Sequence, residues 1–421
     1  MKLIQAKTAF ETSIDQWVSS QLATSPKSWS ALLLALPSVY PEAVLDSLKR
    51  LDLLDMVSFP QSQPAALTSL PFALRLWATG EIPTPHVLDS TWWFGDLALQ
   101  VLLDQVEGLS SPNSNVLLLG APTFWHYAKA NGSKLRFRLL DRQRSVEPSE
   151  FTTTDLLFEQ PKIGTMDLVV MDPPWYPFDM QVFLLAALRN VKPEAKILLS
   201  VPPIGTRPRV EEEWQQLLQW GSRVGLRLED YKKGILPYVS PLFERNALRA
   251  AGVASYPEQW RRGDLATFGW DGASENLAML ASAPKRVEWS EASSGGMRIR
   301  WRLSENIGWK SPLLREIVRG DVLPSVSRRD PRLASVAVWT SGNRVFGCEG
   351  TQILGIITQA VISGNCVESE VQRLLRISLN DRQTEEIKRT VVGVKDLIAI
   401  EQQEITDWGT RRNDGVVKLL T

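Results

Sequence analysis

Residues 166–180 read MDLVVMDPPWYPFDM. A short, nearly continuous apolar run stops at Asp172, and Pro173, Pro174 and Trp175 follow at once. Such a run reads as a strand buried on both faces, the pattern of a parallel sheet. Proline has no N–H and a fixed φ, so the carbonyls of Pro173 and Pro174 come on a rigid turn without a competing donor. A carboxylate, two carbonyls and an indole at one point suit the holding of an amine. Asp172 and a proline carbonyl accept its N–H groups, and Trp175 stacks on a planar substrate or brackets a cation. The competing reading is structural: Asp-Pro and Pro-Pro are ordinary turn signals, and Trp175 fills the core.

Apolar runs on either side supply the context. NVLLLGA, KLRFRLLD, MDLVVMD, AKILLSV and GLRLEDYKKGI alternate with polar helical segments, which predicts an α/β fold with a mainly parallel sheet covered on both faces. Ligands of such sheets bind outside the carboxyl ends of the strands. The first of these strands ends at Gly120 and Ala121, the second at Asp141, and EFTTTDLLF adds Asp155 before Asp172 arrives. Asp141 stands about 20 residues after the first strand end, where nucleotide-binding sheets place an acid for ribose hydroxyls.

In this order, the glycine-ended strand, the ribose-type acid, the third-strand acid and DPPW resemble the class I S-adenosylmethionine-dependent methyltransferases. More narrowly, they resemble the amino-methyltransferases that carry an Asp/Asn-Pro-Pro-aromatic motif. The resemblance extends over roughly residues 90 to 250, where LRNVKPEAKILLSVPP looks like the fifth strand and its helix and VGLRLEDYKKGILPYVSPLFE like the last hairpin. It implies a Rossmann-like methyltransferase sheet and S-adenosyl-L-methionine as cofactor, held by Gly120, Ala121, Asp141 and Asp155. Asp172, Pro173, Pro174 and Trp175 become the catalytic group, and the activity an N-methyl transfer to an amino group, first adenine N6 in nucleic acid, with the base flipped out of any duplex.

Two further readings stand beside it. A helix-turn-helix-like unit before such a sheet also resembles the branched-chain polyamine synthases, which transfer aminopropyl groups and favour a more acidic pocket; Trp175 sits where a further acid is expected there. The third is a non-catalytic scaffold or partner-binding subunit. It draws on the loop LLLGAPTFWHY, which keeps only Gly120 and sets Pro122 and Phe124 where a methionine moiety would approach.

Composition bounds these readings. The 421 residues suggest two or three domains, and a formal net charge of +0 confines any nucleic-acid binding to a local patch. No apolar run approaches the roughly 20 residues of a membrane span, and the N-terminus does not read as a signal peptide, so the expected location is cytoplasmic. Cys348, Cys366, His86 and His126 show no metal-ligand spacing, and no metal is expected. The expected domains are 1–85, helical and helix-turn-helix-like; 86–285, the Rossmann-like sheet; and 286–421, a C-terminal α+β domain. The sheet domain is expected to open with a helix in TWWFGDLALQVLLDQVEGL. Either flanking domain could meet a protein partner, and DNA or RNA is the other expected partner.

Smaller features rank below these. Residues 202–214, PPIGTRPRVEEEW, read as a lid with Arg207 and Arg209 facing an acidic group or solvent. Arg298, Arg300 and Arg302 alternate along one predicted strand as a phosphate track or a soluble face, and Arg328, Arg329 and Arg332 form a second basic cluster. Most of the 16 tryptophans read as core.

Overall fold

The computed structural model describes residues 8–60, 70–143, 150–272, 287–303 and 308–410. The expected boundary at 285–286 and the first seven residues lie outside them. In chain order the elements are α1 (Ala9–Leu22), β1 (Lys27–Ser28), α2 (Trp29–Ala35), α3 (Pro41–Arg50), β2 (Val57–Ser58) and α4 (Phe72–Ala78). There follow β3 (Trp93–Phe94), α5 (Asp96–Gly108), β4 (Asn115–Leu119), α6 (Pro122–Ala130), β5 (Arg136–Asp141), β6 (Phe151–Thr153), β7 (Met166–Met171), α7 (Pro177–Leu188), β8 (Val191–Val201), α8 (Val210–Arg223), β9 (Leu226–Val239), α9 (Leu242–Ala250) and β10 (Arg262–Trp270). The last part holds β11 (Trp289–Ser294), β12 (Met297–Arg302), β13 (Arg315–Glu316), β14 (Val338–Thr340), β15 (Val345–Gly347), α10 (Thr351–Ser363), α11 (Val367–Leu375) and α12 (Asp381–Thr410).

Eight strands form one sheet in the order β3-β9-β10-β8-β7-β4-β5-β6. Strands β6, β5, β4, β7 and β8 run parallel, while β10 is antiparallel to both β8 and β9. From β4 the chain winds outward through β5 and β6, then crosses back to β7 on the other side of β4. That reversal is the topological switch point at which doubly wound sheets open a crevice. The order, closed by the antiparallel pair β9 and β10, is that of the Rossmann-like methyltransferase fold, although VGLRLEDYKKGILPYVSPLFE, expected as a hairpin, is the single strand β9 leading into α9, and α9 precedes β10.

Alternation along the strands explains the layers. Val116 and Leu118 enter one core with α5 and α6, whereas Leu117 and Leu119 enter the opposite core with α7 and α8. Sheets buried on both faces need such near-continuous apolar runs. The start of TWWFGDLALQVLLDQVEGL departs from expectation: α5 begins only at Asp96, and Trp93–Phe94 pairs with Val239 and Tyr238 as strand β3. Aromatic residues favour the pleated state, and Gly95 caps the helix after them.

The helices α1, α2 and α3 share a core with Leu248, Val253 and Trp260, and α4 shares one with β12, β14 and α12, where Trp77 meets Trp408 at 4.9 Å. A separate C-terminal sheet has the order β11-β12-β14-β15-β13. The arginine ladder of β12 is not a phosphate track. Arg298 and Arg300 each pair with Asp89 at 2.8 Å and also with Glu291, while Arg302 donates to the Leu333 carbonyl. Burying so many guanidinium groups requires these carboxylates, and the two arginines in turn hold the Asp89 carboxyl well below its ordinary range.

The turn between β14 and β15 is bolted to α12. Arg344 bonds Glu401 at 3.1 Å and Glu404 at 2.8 Å, and Glu401, fully buried, also accepts from Thr340 and from the Gly342 N–H. Removing the cation strands a buried carboxylate, so Arg344→Ala is expected to lower unfolding stability by about 3–5 kcal/mol, read from urea denaturation.

Candidate functional site

The switch point is closed by two backbone bonds. The Gly120 N–H donates to the Leu140 carbonyl and holds the end of β4 against β5, and the Asp172 N–H donates to the Leu119 carbonyl and sets the ends of β4 and β7 side by side, both at 3.0 Å. Gly120 lies in the left-handed region at φ +68°, and a Cβ there would stand 3.1 Å from both the Asp172 carbonyl and the Phe183 ring. Only glycine makes this turn without strain.

Two cavities adjoin across this corner, and Asp172 and Pro174 line both. The smaller, about 70 Å³, is lined by Gly120, Ala121, Asp141 and Asp155 together with apolar Leu156 and Phe183. Asp141 accepts from the Gln143 N–H at 2.8 Å and forms no salt bridge among the described residues, and burial pushes its carboxyl up to about 6. Asp155, two residues past the end of β6, is engaged by Arg142 at 3.2 Å and by the Leu157 N–H. Of the two acids, Asp141 has the spare acceptor capacity. Phe124, expected to crowd this region, points into the core against Phe137 and does not line the hollow; Pro122 does, as the first residue of α6.

The larger cavity, about 200 Å³, has Asp172, Pro173, Pro174 and Trp175 in its wall. Tyr238 donates to Asp172 at 2.7 Å, Ser200 lies 2.6 Å from the Tyr238 hydroxyl, and the Trp175 indole donates to Ser200 at 3.0 Å. A Tyr238 that gives its proton to Asp172 takes that of Ser200, so one relay runs from Trp175 through Ser200 and Tyr238 to Asp172. No cation pairs with Asp172 among the described residues, and burial raises its carboxyl to about 7 against the pull of these hydrogen bonds. Gly263 makes room for the relay, since a Cβ there would lie 3.0 Å from the Trp175 ring and 3.2 Å from that of Tyr238. The Pro174 carbonyl already accepts from Tyr176 N–H at 2.7 Å, whereas that of Pro173 accepts no hydrogen bond among the described residues.

The remaining walls come from distant parts of the chain. Tyr40 and Glu42 arrive from the α2–α3 turn, and Pro324 to Arg328 from the C-terminal part. The turn is pinned because Ser38 exchanges hydrogen bonds with the Arg262 backbone at 2.7 and 2.9 Å, and a Cβ on Gly205 would lie 2.3 Å from the Pro37 carbonyl. Three arginines line the cavity, each already matched: Arg207 by Glu213, Arg261 by Glu244, and Arg328 by Asp179. Arg207 also donates to the Trp175 carbonyl at 2.6 Å, so the 202–214 segment is a wall of the cavity, while Arg209 is exposed and pairs with Glu212. The hydroxyls of Tyr40 and Thr206 and the indole N–H of Trp92 are buried around the cavity without hydrogen-bond partners among the described residues, the condition of a wall that a bound molecule or water completes.

The eight residues singled out from sequence therefore lie on two touching cavities. His126 lies apart, 3.6 Å from Glu81, and His86 is a buried structural residue whose imidazole burial pushes down to about 3. Sequence reading missed Tyr238, Ser200, Arg261 and Tyr40. The available signal for Tyr238 was its place in ILPYVSP, on the hairpin strand that the switch point faces. Nothing local marks Tyr40, whose role arises from tertiary docking.

No family model and no curated protein matches this sequence. Among solved structures the chain is similar to the branched-chain polyamine synthase of Thermus thermophilus, in complex with N4-aminopropylspermidine and 5'-methylthioadenosine, at 14% identity and TM-score 0.43, covering 63% of this chain and 91% of that one. It is also similar to a TehB-like SAM-dependent methyltransferase of Corynebacterium glutamicum (13% identity, TM-score 0.28, 47% and 92% covered) and to TrmN of Thermus thermophilus (12%, 0.30, 62% and 78%).

Asp172 gives a stability signature. An unfolded carboxyl ionises near 3.8 and this one near 7, so the folded state keeps its proton longer, and stability is lost as pH climbs from about 4 to about 7. In Asp172→Asn that slope is expected to shrink by up to about 4 kcal/mol over the interval, read from urea midpoints across the pH range. Tyr238→Phe removes a bond that favours the carboxylate and is expected to move the Asp172 midpoint higher still, as read by carboxyl ¹³C NMR.

Proposed function

We propose that the protein transfers a methyl group from S-adenosylmethionine to the amino nitrogen of a flat, uncharged acceptor, with adenine N6 in nucleic acid as the first substrate to test. The observation that carries this reading is a carboxyl with proton affinity near neutrality, paired with no cation among the described residues, at the junction of two cavities. In the smaller cavity, Asp141 would accept ribose hydroxyls, and the Gly120–Ala121 turn lets a ligand approach the backbone. The mixed lining of acids and apolar side chains fits an adenosyl group. When bound, the donor supplies an electrophilic methyl on a sulfonium, whose C–S bond breaks as the new N–C bond forms.

The chain's own residues do the rest. Asp172 accepts a hydrogen bond from the acceptor amine and so turns its lone pair toward the donor cavity. Once the nitrogen is alkylated, the same carboxylate takes its surplus proton, for which a value near 7 is well matched at neutral pH. The unoccupied Pro173 carbonyl is a second acceptor for the amine, and Trp175, anchored through Ser200, offers its ring as a wall. A polycationic acceptor is disfavoured: the carboxyls lining the larger cavity are Glu42 and Asp172, burial raises both, and three arginines share the wall.

The test is to incubate the protein with radiolabelled donor and, in parallel, DNA, RNA, a polyamine and whole-cell protein. Label is expected in nucleic acid. Asp172→Asn should lower the rate by about 10²–10⁴-fold while leaving donor affinity unchanged, and kcat/KM in the wild type should rise with pH through about 7 as Asp172 ionises. Unchanged turnover in Asp172→Ala removes the site assignment, methyl label in the polyamine pool makes a polyamine the acceptor, label reaching the polyamine only from the aminopropyl carbons of decarboxylated donor in a parallel arm selects aminopropyl transfer, and no binding of donor at millimolar concentration selects the scaffold.

A further inference from the structure

Immediately beside the acceptor cavity runs a second groove of about 480 Å³, and Pro324 lines both. Four arginines line this groove, Arg249, Arg319, Arg332 and Arg344, against one carboxylate, Glu404. Arg332 is committed to Asp330 and Arg344 to Glu401 and Glu404. Arg249, in the last turn of α9, and Arg319, beside the bare turn at Gly320, are exposed, and neither forms a salt bridge among the described residues. In a chain whose formal net charge is +0, a concavity that holds Arg319, in no salt bridge among the described residues, and Arg249, which faces only a Glu404 already shared with Arg344, is a local anion site. Glu316, on the same turn, accepts the Gly320 N–H at 3.0 Å and is to that extent occupied.

We propose that this groove holds backbone phosphates of a single-stranded polynucleotide, one of whose bases enters the aromatic cavity on the other side of Pro324. The two halves of the site divide the two chemistries of such a ligand. An aromatic cavity whose arginines are all matched by acids takes a neutral, flat base, and the neighbouring guanidinium groups take the charge, the pairing by which single strands are held without sequence readout. A duplex places its bases inside the stack, so a base can reach a cavity of this depth only from a single strand or after flipping. This inference rests on the amino-transfer reading of the cavity for the identity of the base's role, while the groove's own chemistry stands on its arginines.

The experiment uses the full chain and fluorescently labelled single-stranded DNA and RNA dodecamers, with anisotropy measured over a series of salt concentrations. The double variant Arg249→Glu/Arg319→Glu, and its neutral counterpart with Gln at both positions, alter exposed side chains outside the acceptor and donor cavities. The wild type is expected to bind one or both strands, the DNA and RNA arms identifying which. The charge-reversed variant is expected to bind about tenfold more weakly, with a salt slope reduced by about 1–1.5, the share of two phosphate contacts on a single strand. Equal affinity and slope in wild type and variants, or poly-glutamate bound as tightly as the dodecamers, overturns the proposal. Calorimetry with S-adenosylhomocysteine separates the two readings. Strand binding lost in the variants with no nucleoside ligand bound by the wild type removes the transfer reading and keeps the groove; a bound nucleoside ligand with no strand affinity removes the groove and keeps the transfer.

Discussion

The hydrogen bond from Tyr238 to Asp172 is the interaction on which the site depends. A carboxyl at the end of a buried strand has lost most of its water, and without a donor it would hold its proton more tightly still. Tyr238 returns part of that cost, and because its hydroxyl is fed by Ser200 and Trp175, the indole and the carboxyl are fixed by one chain of hydrogen bonds. The outcome is a group poised near 7 instead of one locked in either protonation state. A salt bridge in place of this relay would have pulled the carboxyl down and made it a permanent anion.

That corner is completed by parts of the chain that are remote in sequence. The antiparallel pair β9 and β10 brings Tyr238 and the Gly263 that makes room for it, the α2–α3 turn brings Tyr40, and the C-terminal part brings Pro324 and Arg328. Each contribution is held by specific bonds: Ser38 to the Arg262 backbone, Arg328 to Asp179 and Ser90, and Arg298 with Arg300 to Asp89. The larger cavity exists because segments distant in sequence meet over the ends of the sheet strands.

Strand identity and order were legible because double-sided burial leaves near-continuous apolar runs, and the carboxyl ends could be read in turn to Gly120, Asp141 and Asp172. The start of α5 was not, since the aromatic pair Trp93–Phe94 satisfies a helical apolar count as readily as a strand and is decided by its partner Val239. Basic residues were hardest to place. Arg298, Arg300 and Arg302 read as a phosphate track or a soluble face, yet Asp89 and Glu291, which pair with Arg298 and Arg300, and the Leu333 carbonyl, which accepts from Arg302, lie on other elements; Arg207 and Arg209, two positions apart, divide between a buried contact and solvent. Charge in sequence carries no record of which partner will neutralise it. The cavity walls from Tyr40 and Arg328 were invisible for the same reason.

Whether the corner between β4 and β7 holds a nucleoside donor beside an amine-gripping carboxyl is decided by a crystal structure of the protein grown with saturating S-adenosylhomocysteine. Density is expected for the ligand in the smaller cavity, its ribose on Asp141 and its backbone contacts at Gly120 and Ala121. A well-ordered structure in which that cavity stays empty while the ligand is absent or bound elsewhere would contradict that placement.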